Sequence, residues 1–597
     1  MKRHCHSLFA KTRAIFAAAV FLSANLPQAF FAEPLVYADS QGVTSADDSK
    51  DQGQKTQLQP LDPAFKGKLP ITELTEDEAI LHALNRLGYG PRPGDLERVK
   101  QMGLENWIER QLHPEKLDEP ILQARLSRLP AANLNSQALL AEYPQPDTAA
   151  KRLGITVDEY RKQMDAEAHP PQGVRPKPSK LPQEALNQLQ QAKALRAIYS
   201  ERQLQEQLTD FWFNHFNVFA NKDLDLWLLA SYENDVIRSH VFGRFRDLLE
   251  ASAKSPAMLF YLDNYLSADP QAAQRLRSHP EKLRGRQYAS LPPVGNRGLN
   301  ENYGRELMEL HTLGVDAGYT QQDVIEVARC FTGWTIRNAR TKPEFAFDDR
   351  VHDPRPKNVL GKKIHAGGIR DGEQVLDLLA RDLHTAHHLA LELAQHFVSD
   401  NPPAALVDRM AVAFRKTGGD LREVMRAMVY SPEFWSRSAY RAKIKTPFEL
   451  VVSTTRALGT DVDTALPLVN WITRIGEPLY QCLPPTGYSD KASAWVNAGA
   501  LLNRLNFALA LAGNHVAGSE VQIAPLLGAE AETDPYQALE RAVNLFLAGQ
   551  MSATTRSTLE KQSADPQIVQ IKSGTTTQVN LGTITGLVLG TPEFQQR

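Results

Sequence analysis

The chain has 597 residues, 42% of them hydrophobic and 23% charged, so it is long enough for about two to four domains or for one large core with additions. Its formal net charge is −2, and without Lys2, Arg3, Lys11 and Arg13 about −6 remains. That balance excludes a dedicated nucleic-acid binder, which needs a basic stripe against phosphates.

Residues 1–32 read as a signal peptide: a basic start, the apolar run "AIFAAAVFLSANL", then small residues before Glu33. The run is short for a bilayer span. The expectation is an exported chain, periplasmic or extracellular after cleavage near Ala32, with no transmembrane span in the mature part. Residues 33–70 are polar, lack helical period and read as a flexible linker.

A main helical domain is expected over 71–460. It opens with "TEDEAILHALNRLGYGPRPGDLERVKQMGLENWIERQL", two helices around a Gly/Pro turn with Thr75 as N-cap. From 113 to 185 the pattern loosens, as in a variable insertion. A long helix is expected from 183 to 219, its apolar stripe including Leu204, Leu208, Phe211, Trp212, His215, Phe216 and Phe219. Further helices are expected near 230–253, 301–313, 321–332, 373–380, 385–398, 403–416, 420–430, 446–459 and 494–512. "EFAFDD" and "NVLGKKI" mark a small β-hairpin near 344–364. A C-terminal helical region, 461–597, should pack on the main domain. "SPEF" at 431–434 and "TPEF" at 591–594 each offer a hydroxyl cap before a proline at the first helical position. The fold class is mainly α, a large multi-helix globular array with one small β-hairpin.

The segment "GLNENYGRELMELHTLGV" at 298–315 concentrates charge on a helix. At about 100° per residue, Tyr303, Leu307 and Leu310 share a core face, while Asn302, Arg305, Glu306 and Glu309 gather on an adjoining stripe. His311 falls beyond the apolar face and cannot share a metal with Glu306 through this helix alone. Two readings of the stripe stay open. In one it lines a cleft, with Glu306 and Glu309 as acid/base groups beside Arg305, or as oxygen ligands to a divalent cation. In the other, Arg305 and Glu309 form an i, i+4 ion pair and Glu306 reaches a neighbouring helix.

Asp263 and Asn264 follow the apolar "MLFYL", and "FAFDDRVHDPRPK" places Asp348, Asp349, His352 and Asp353 in a loop. Folding of these loops onto the stripe would bring carboxylates and amides together. Asp263, Asn264, Asn300, Asn302 and His215 are therefore the candidate substrate-binding residues, and Glu306, Asp263 and Asp353 the candidate metal ligands. His215 sits on the apolar side of its helix, where a satisfied core histidine is the commoner role, and Asn214 and Asn217 beside it keep a polar pocket open. "HTAHHLALELAQHF" offers His384 and His388 at i, i+4, but without the acid of an HExxH motif. Cys330 and Cys482 lie outside any CxxC or Cys/His pattern. GxSxG, Walker and Rossmann fingerprints are absent from the sequence.

"HALNRLGYGPRPGDLERV", "WIERQL", "FWFNHFNV", "MLFYLDN", "GLNENYGRELMELHTLGVDAGYTQQDVIEVARCFTGW", "SPEFW", "KTPFELVVSTTRALG" and "GYSDKASAWVNAGALLNRLNFALALA" together resemble a bacterial family known as domain of unknown function 1800. The resemblance runs from about 75 to the C-terminus, and Gly304 stands where that family more often has alanine. It implies a large, mostly helical, exported protein and a sulfatase-like exported partner, and it supplies neither a reaction nor catalytic residues. Two functions follow as expectations. One is an extracytoplasmic hydrolase acting on a polysaccharide or envelope polymer through a carboxylate-lined cleft. The other is a non-catalytic binding or assembly partner of the sulfatase-like protein.

Overall fold

The helix ends form where local side chains satisfy the free backbone donors. Thr75, Thr320 and Thr446 each close a capping box, with Glu78, Asp323 and Glu449 at the third helical position. Both copies of the Ser/Thr-Pro-Glu-Phe device form their cap: Phe434 N–H donates to Ser431 Oγ and Phe594 N–H to Thr591 Oγ1. The computed structural model describes residues 69–70, 72–168, 181–278, 297–565, 569–572 and 576–597. The expected leader, nearly all of the expected linker and the Pro-rich stretch at 169–180 lie outside the described residues. Among the described residues are twenty-seven α-helices and four two-stranded antiparallel sheets, a mainly α architecture.

One hydrophobic cluster runs from Leu74 through Trp212, Phe245 and Phe397 to Phe594, so the last 130 or so residues share their core with the rest. Helices Ala498–Ala512 and Leu581–Leu589 approach closely enough that a Cβ on Gly586 would meet Leu509 Cα at 2.7 Å. The 113–185 segment is more ordered than its sequence pattern suggests. Helices Pro120–Leu126 and Ser136–Glu142 join the main core, whereas Ala149, Ala150 and Tyr160 form a separate small one.

Two local expectations change in tertiary context. The long helix expected over 183–219 is two, Pro182–Tyr199 and Gln203–His215. Glu119 is the reason, since its carboxylate accepts from Glu201 N at 3.0 Å and Arg202 N at 3.4 Å and ends the continuous ladder there. The strands expected near 344–364 are present but pair apart. Glu344–Phe347 pairs with Trp334–Arg337, and Lys357–Val359 with Lys362–Ile364.

Cys330 and Cys482 are separate buried thiols, pushed up by burial to about 12 and about 11. No helix among the described residues is long and apolar enough to cross a membrane.

Candidate functional site

The charged helix spans Glu301–Glu309 and buries Tyr303, Gly304, Leu307 and Met308. Asn300 caps it, accepting from Tyr303 N at 3.1 Å, and donates through Nδ2 to Leu262 O at 2.7 Å. Helix Gln321–Cys330 packs so closely that a Cβ on Gly304 would meet Val324 O at 2.8 Å. The close backbone of the neighbouring helix favours glycine at this position.

On the polar stripe Asn302 is exposed, and Arg305, Glu306 and Glu309 are half-buried. Arg305 donates to Gln321 at 2.7 Å and Glu309 accepts from the Tyr319 hydroxyl at 3.2 Å, so the i, i+4 ion pair between them does not form. The Glu306 carboxylate makes no hydrogen bond or ion pair among the described residues. Burial, with the charge of Glu309, raises its carboxyl above the ordinary range, while Arg305 works the other way.

The other residues singled out in the sequence fall in several places. His215 is buried, with Glu392 Oε2 2.7 Å from Nδ1 and the His311 carbonyl 3.3 Å from Nε2. It thereby ties its helix to the carbonyl end of the charged one. His388 makes a parallel contact, Nε2 to Leu310 O at 3.3 Å, while His384 is exposed and pairs with Asp382. Asp263 is largely exposed, in a left-handed turn, and pairs with Lys222 at 2.8 Å. Asn264 is buried and holds Phe331 O and Trp334 O. Asp353 is buried between Arg329 and Arg355; burial opposes its ionisation, but their bonds outweigh it and hold the carboxyl well below its usual value. No group of three or more His, Cys, Asp or Glu suited to a metal occurs among the described residues.

Acids do line a cavity, on a different side of helix Gln203–His215. Its volume is about 40 Å³, and Asp210, Glu449, Glu477 and Asp490 all face it, with Lys193, His396 and Tyr488. Asn214 and Asn217 line it too, as their placement beside His215 suggested. Asn214 exchanges two bonds with Tyr488, donating to its carbonyl at 2.8 Å and accepting from its N–H at 2.7 Å. Asn217 donates to Cys482 O at 2.9 Å and Pro484 O at 2.8 Å. These amides hold the loop 482–490 against the helix. Gly487, at φ +67°, lets them, because a Cβ there would lie 2.4 Å from Asn214 O.

The electrostatics of the cavity are divided. Asp490 lies 2.6 Å from His396 Nδ1; burial opposes its charge, but His396, Lys443 and Arg597 outweigh that and keep the carboxyl low. Asp210 pairs with Lys193 at 2.6 Å. Glu477 goes the other way. It accepts from Phe448 N at 2.8 Å, at the start of helix Pro447–Ala457, yet burial, with Asp210 nearby, raises it to about 8. A proton donor, Glu477, and an ionised acceptor, Asp490, thus share one opening. Periodicity alone could not have found Asp210, Glu477 and Asp490, which come from three separated segments. Of the three, only Asp490 lies in a motif singled out in the sequence, "GYSDKASAW"; "FWFNHFNV" and "KTPFELVV" supply other lining side chains, and Asp210 and Glu477 carried no signal of their own.

Residues 82–596 match the family model described as protein of unknown function (DUF1800). No curated protein and no solved structure matches.

Proposed function

This chain belongs to the DUF1800 family, and for it we propose a hydrolase that works by general acid–base catalysis in the cavity shared by Glu477, Asp490 and Asp210. The observation that carries the reading is the opposite perturbation of acids facing one space. Glu477 keeps its proton at neutral pH and is placed to give it to a leaving group. Asp490, held low beside His396 and lining the same cavity, is placed to take a proton from water directly. Lys193, beside Asp210, supplies positive charge where an oxyanion would develop. The volume suits a scissile group and a water, so a larger substrate would lie across the mouth, in keeping with a polysaccharide or envelope polymer. The leader-like N-terminal sequence supports action outside the cytoplasm.

Glu306 is the second acid open to a substrate, because it is half-exposed and unpartnered; Arg305, Glu309 and Asn302 share its stripe. Of the residues singled out for binding, Asn300 caps this helix, while His215, Asp263 and Asn264 are engaged elsewhere by Glu392, Lys222 and the Phe331 and Trp334 carbonyls. A docking role toward a sulfatase-like exported protein is the second reading. It draws on the exposed apolar side chains of Val315 and Leu383, on the two segments that meet where Gly314 packs on His388.

The test is hydrolysis of a panel of glycans and envelope polymers by the full chain. Glu477→Gln and Asp490→Asn are expected to lower turnover by about 10²–10⁴-fold with the fold retained. Wild-type turnover in both variants, or loss confined to Glu306→Gln, overturns the assignment to this cavity.

A further inference from the structure

Four lysines are buried among the described residues, and three of them hold a carboxylate. Lys193 pairs with Asp210, Lys357 with Asp371 and Lys443 with Asp400. Lys445 is the exception. It is 4% exposed, and its ammonium makes no hydrogen bond or ion pair among the described residues. Its side chain lies over the Phe594 ring, 3.9 Å from the centroid. An unpaired buried ammonium is costly, and the usual relief is loss of the proton.

The surroundings favour that loss. Burial comes first; Glu449 on helix Pro447–Ala457 favours the charged form, and Arg441, Arg597 and Arg504 oppose it, so that the amine is brought down to about 7. Lys445 also faces open space. It lines a cleft of about 460 Å³, far larger than the acidic cavity, between the "GYGPRPG" turn, helix Pro447–Ala457 and the C-terminal segment. Ser453 and Ala457 form one wall, Glu593 and Phe594 another. The backbone is fixed where the lysine leaves it. Lys445 N–H donates to Gln595 O at 2.9 Å and Arg597 N–H to Lys443 O at 2.8 Å, a short antiparallel ladder.

We propose that this cleft is a carbonyl-binding site in which Lys445, buried, unpaired and facing a ligand-sized space, captures an aldehyde or ketone as an imine. The Nζ lone pair attacks the carbonyl carbon to form a carbinolamine. Loss of its hydroxyl as water, with the second amine proton, leaves the C=N bond, so one amine and one carbonyl give one imine and one water. The site is independent of the hydrolytic reading, because Lys445 does not line the acidic cavity.

The test incubates the full chain with a small aromatic aldehyde and cyanoborohydride, which fixes any imine as a secondary amine, and follows each lysine by peptide mass spectrometry. Lys445 is expected to be modified roughly tenfold or more faster at pH 7 than the median exposed lysine, because more of it is neutral there. Its rate should level off above neutrality while those of exposed lysines still climb. Lys193, Lys357 and Lys443 are internal controls for burial with a partner and should stay unmodified. Ala457→Leu, which fills the wall and leaves the lysine in place, should slow the reaction at Lys445 alone. Lys445→Arg should remove the fast adduct and leave the slow surface ones. Modification of Lys445 at or below the median rate, or insensitivity to Ala457→Leu, overturns the proposal.

Discussion

Two regions of this protein are rich in acids, and they treat them in opposite ways. Around the loop that carries Asp353, Asp269 from before the charged helix and Asp371 from helix Ile369–Ala380 join it. All three are buried and each is met by cations: Asp269 by Arg275 and Arg355, Asp353 by Arg329 and Arg355, and Asp371 by Lys357. Asp371 also lies 3.1 Å from His352, and Gly367 N–H donates to it at 2.7 Å. Every lone pair that matters has a donor, and nothing is left to meet a substrate. Around Glu477 and Asp490 the acids face a cavity, one protonated and one charged. The residue types are the same in both places. Asp210 and Asp490 also have cations beside them, so what sets the second region apart is Glu477, an acid that faces the cavity with no ion pair among the described residues.

Asp371→Ala leaves the Lys357 ammonium buried without a carboxylate and should cost about 3–5 kcal/mol in denaturant unfolding. A loss under about 1 kcal/mol would show the network to be dispensable. Gly304→Ala tests the packing that seats the charged helix and should cost about 1–3 kcal/mol, because Val324 O blocks the new methyl.

The open side is sharpened by pH. An unfolded Glu477 releases its proton near 4.5, whereas the folded one holds it to about 8. Between those values the folded state binds a proton that the unfolded state has lost, so this residue makes stability fall as pH rises through the window. Glu477→Gln should flatten that part of the melting-temperature profile, and an unchanged slope would remove the basis for calling it an acid. Smallest of all should be Glu306→Gln. Half-exposed and unpartnered, it should shift stability by no more than about 0.5 kcal/mol. A large loss would mean that Glu306 has a structural partner after all.

Much of the helical frame was legible. Thr75 marked the N-cap that forms, and helices Gln321–Cys330, Leu383–Phe397, Ala404–Lys416 and Ala498–Ala512 lie within a few residues of their periodic patterns. The stripe of Asn302, Arg305, Glu306 and Glu309 was legible too, because a helix wheel needs only neighbours three and four apart. Less legible was the break between Tyr199 and Gln203, since the carboxylate that makes it belongs to Glu119, eighty residues earlier. The partners of the stripe were equally hidden: Arg305 turns to Gln321 instead of Glu309.

The sequence by itself determined where many helices start and which faces are greasy, because caps and amphipathic period are set within a turn or two of chain. It also placed Asn214 and Asn217 beside a possible pocket. Only the tertiary structure decided which acids are silenced and which stay open. His396 meets Asp490 across 94 residues, Asn214 meets Tyr488 across 274, and Lys445 finds no carboxylate. Burial and the sum of surrounding charges set a carboxyl's proton affinity, and both are properties of the assembled space rather than of neighbours along the chain.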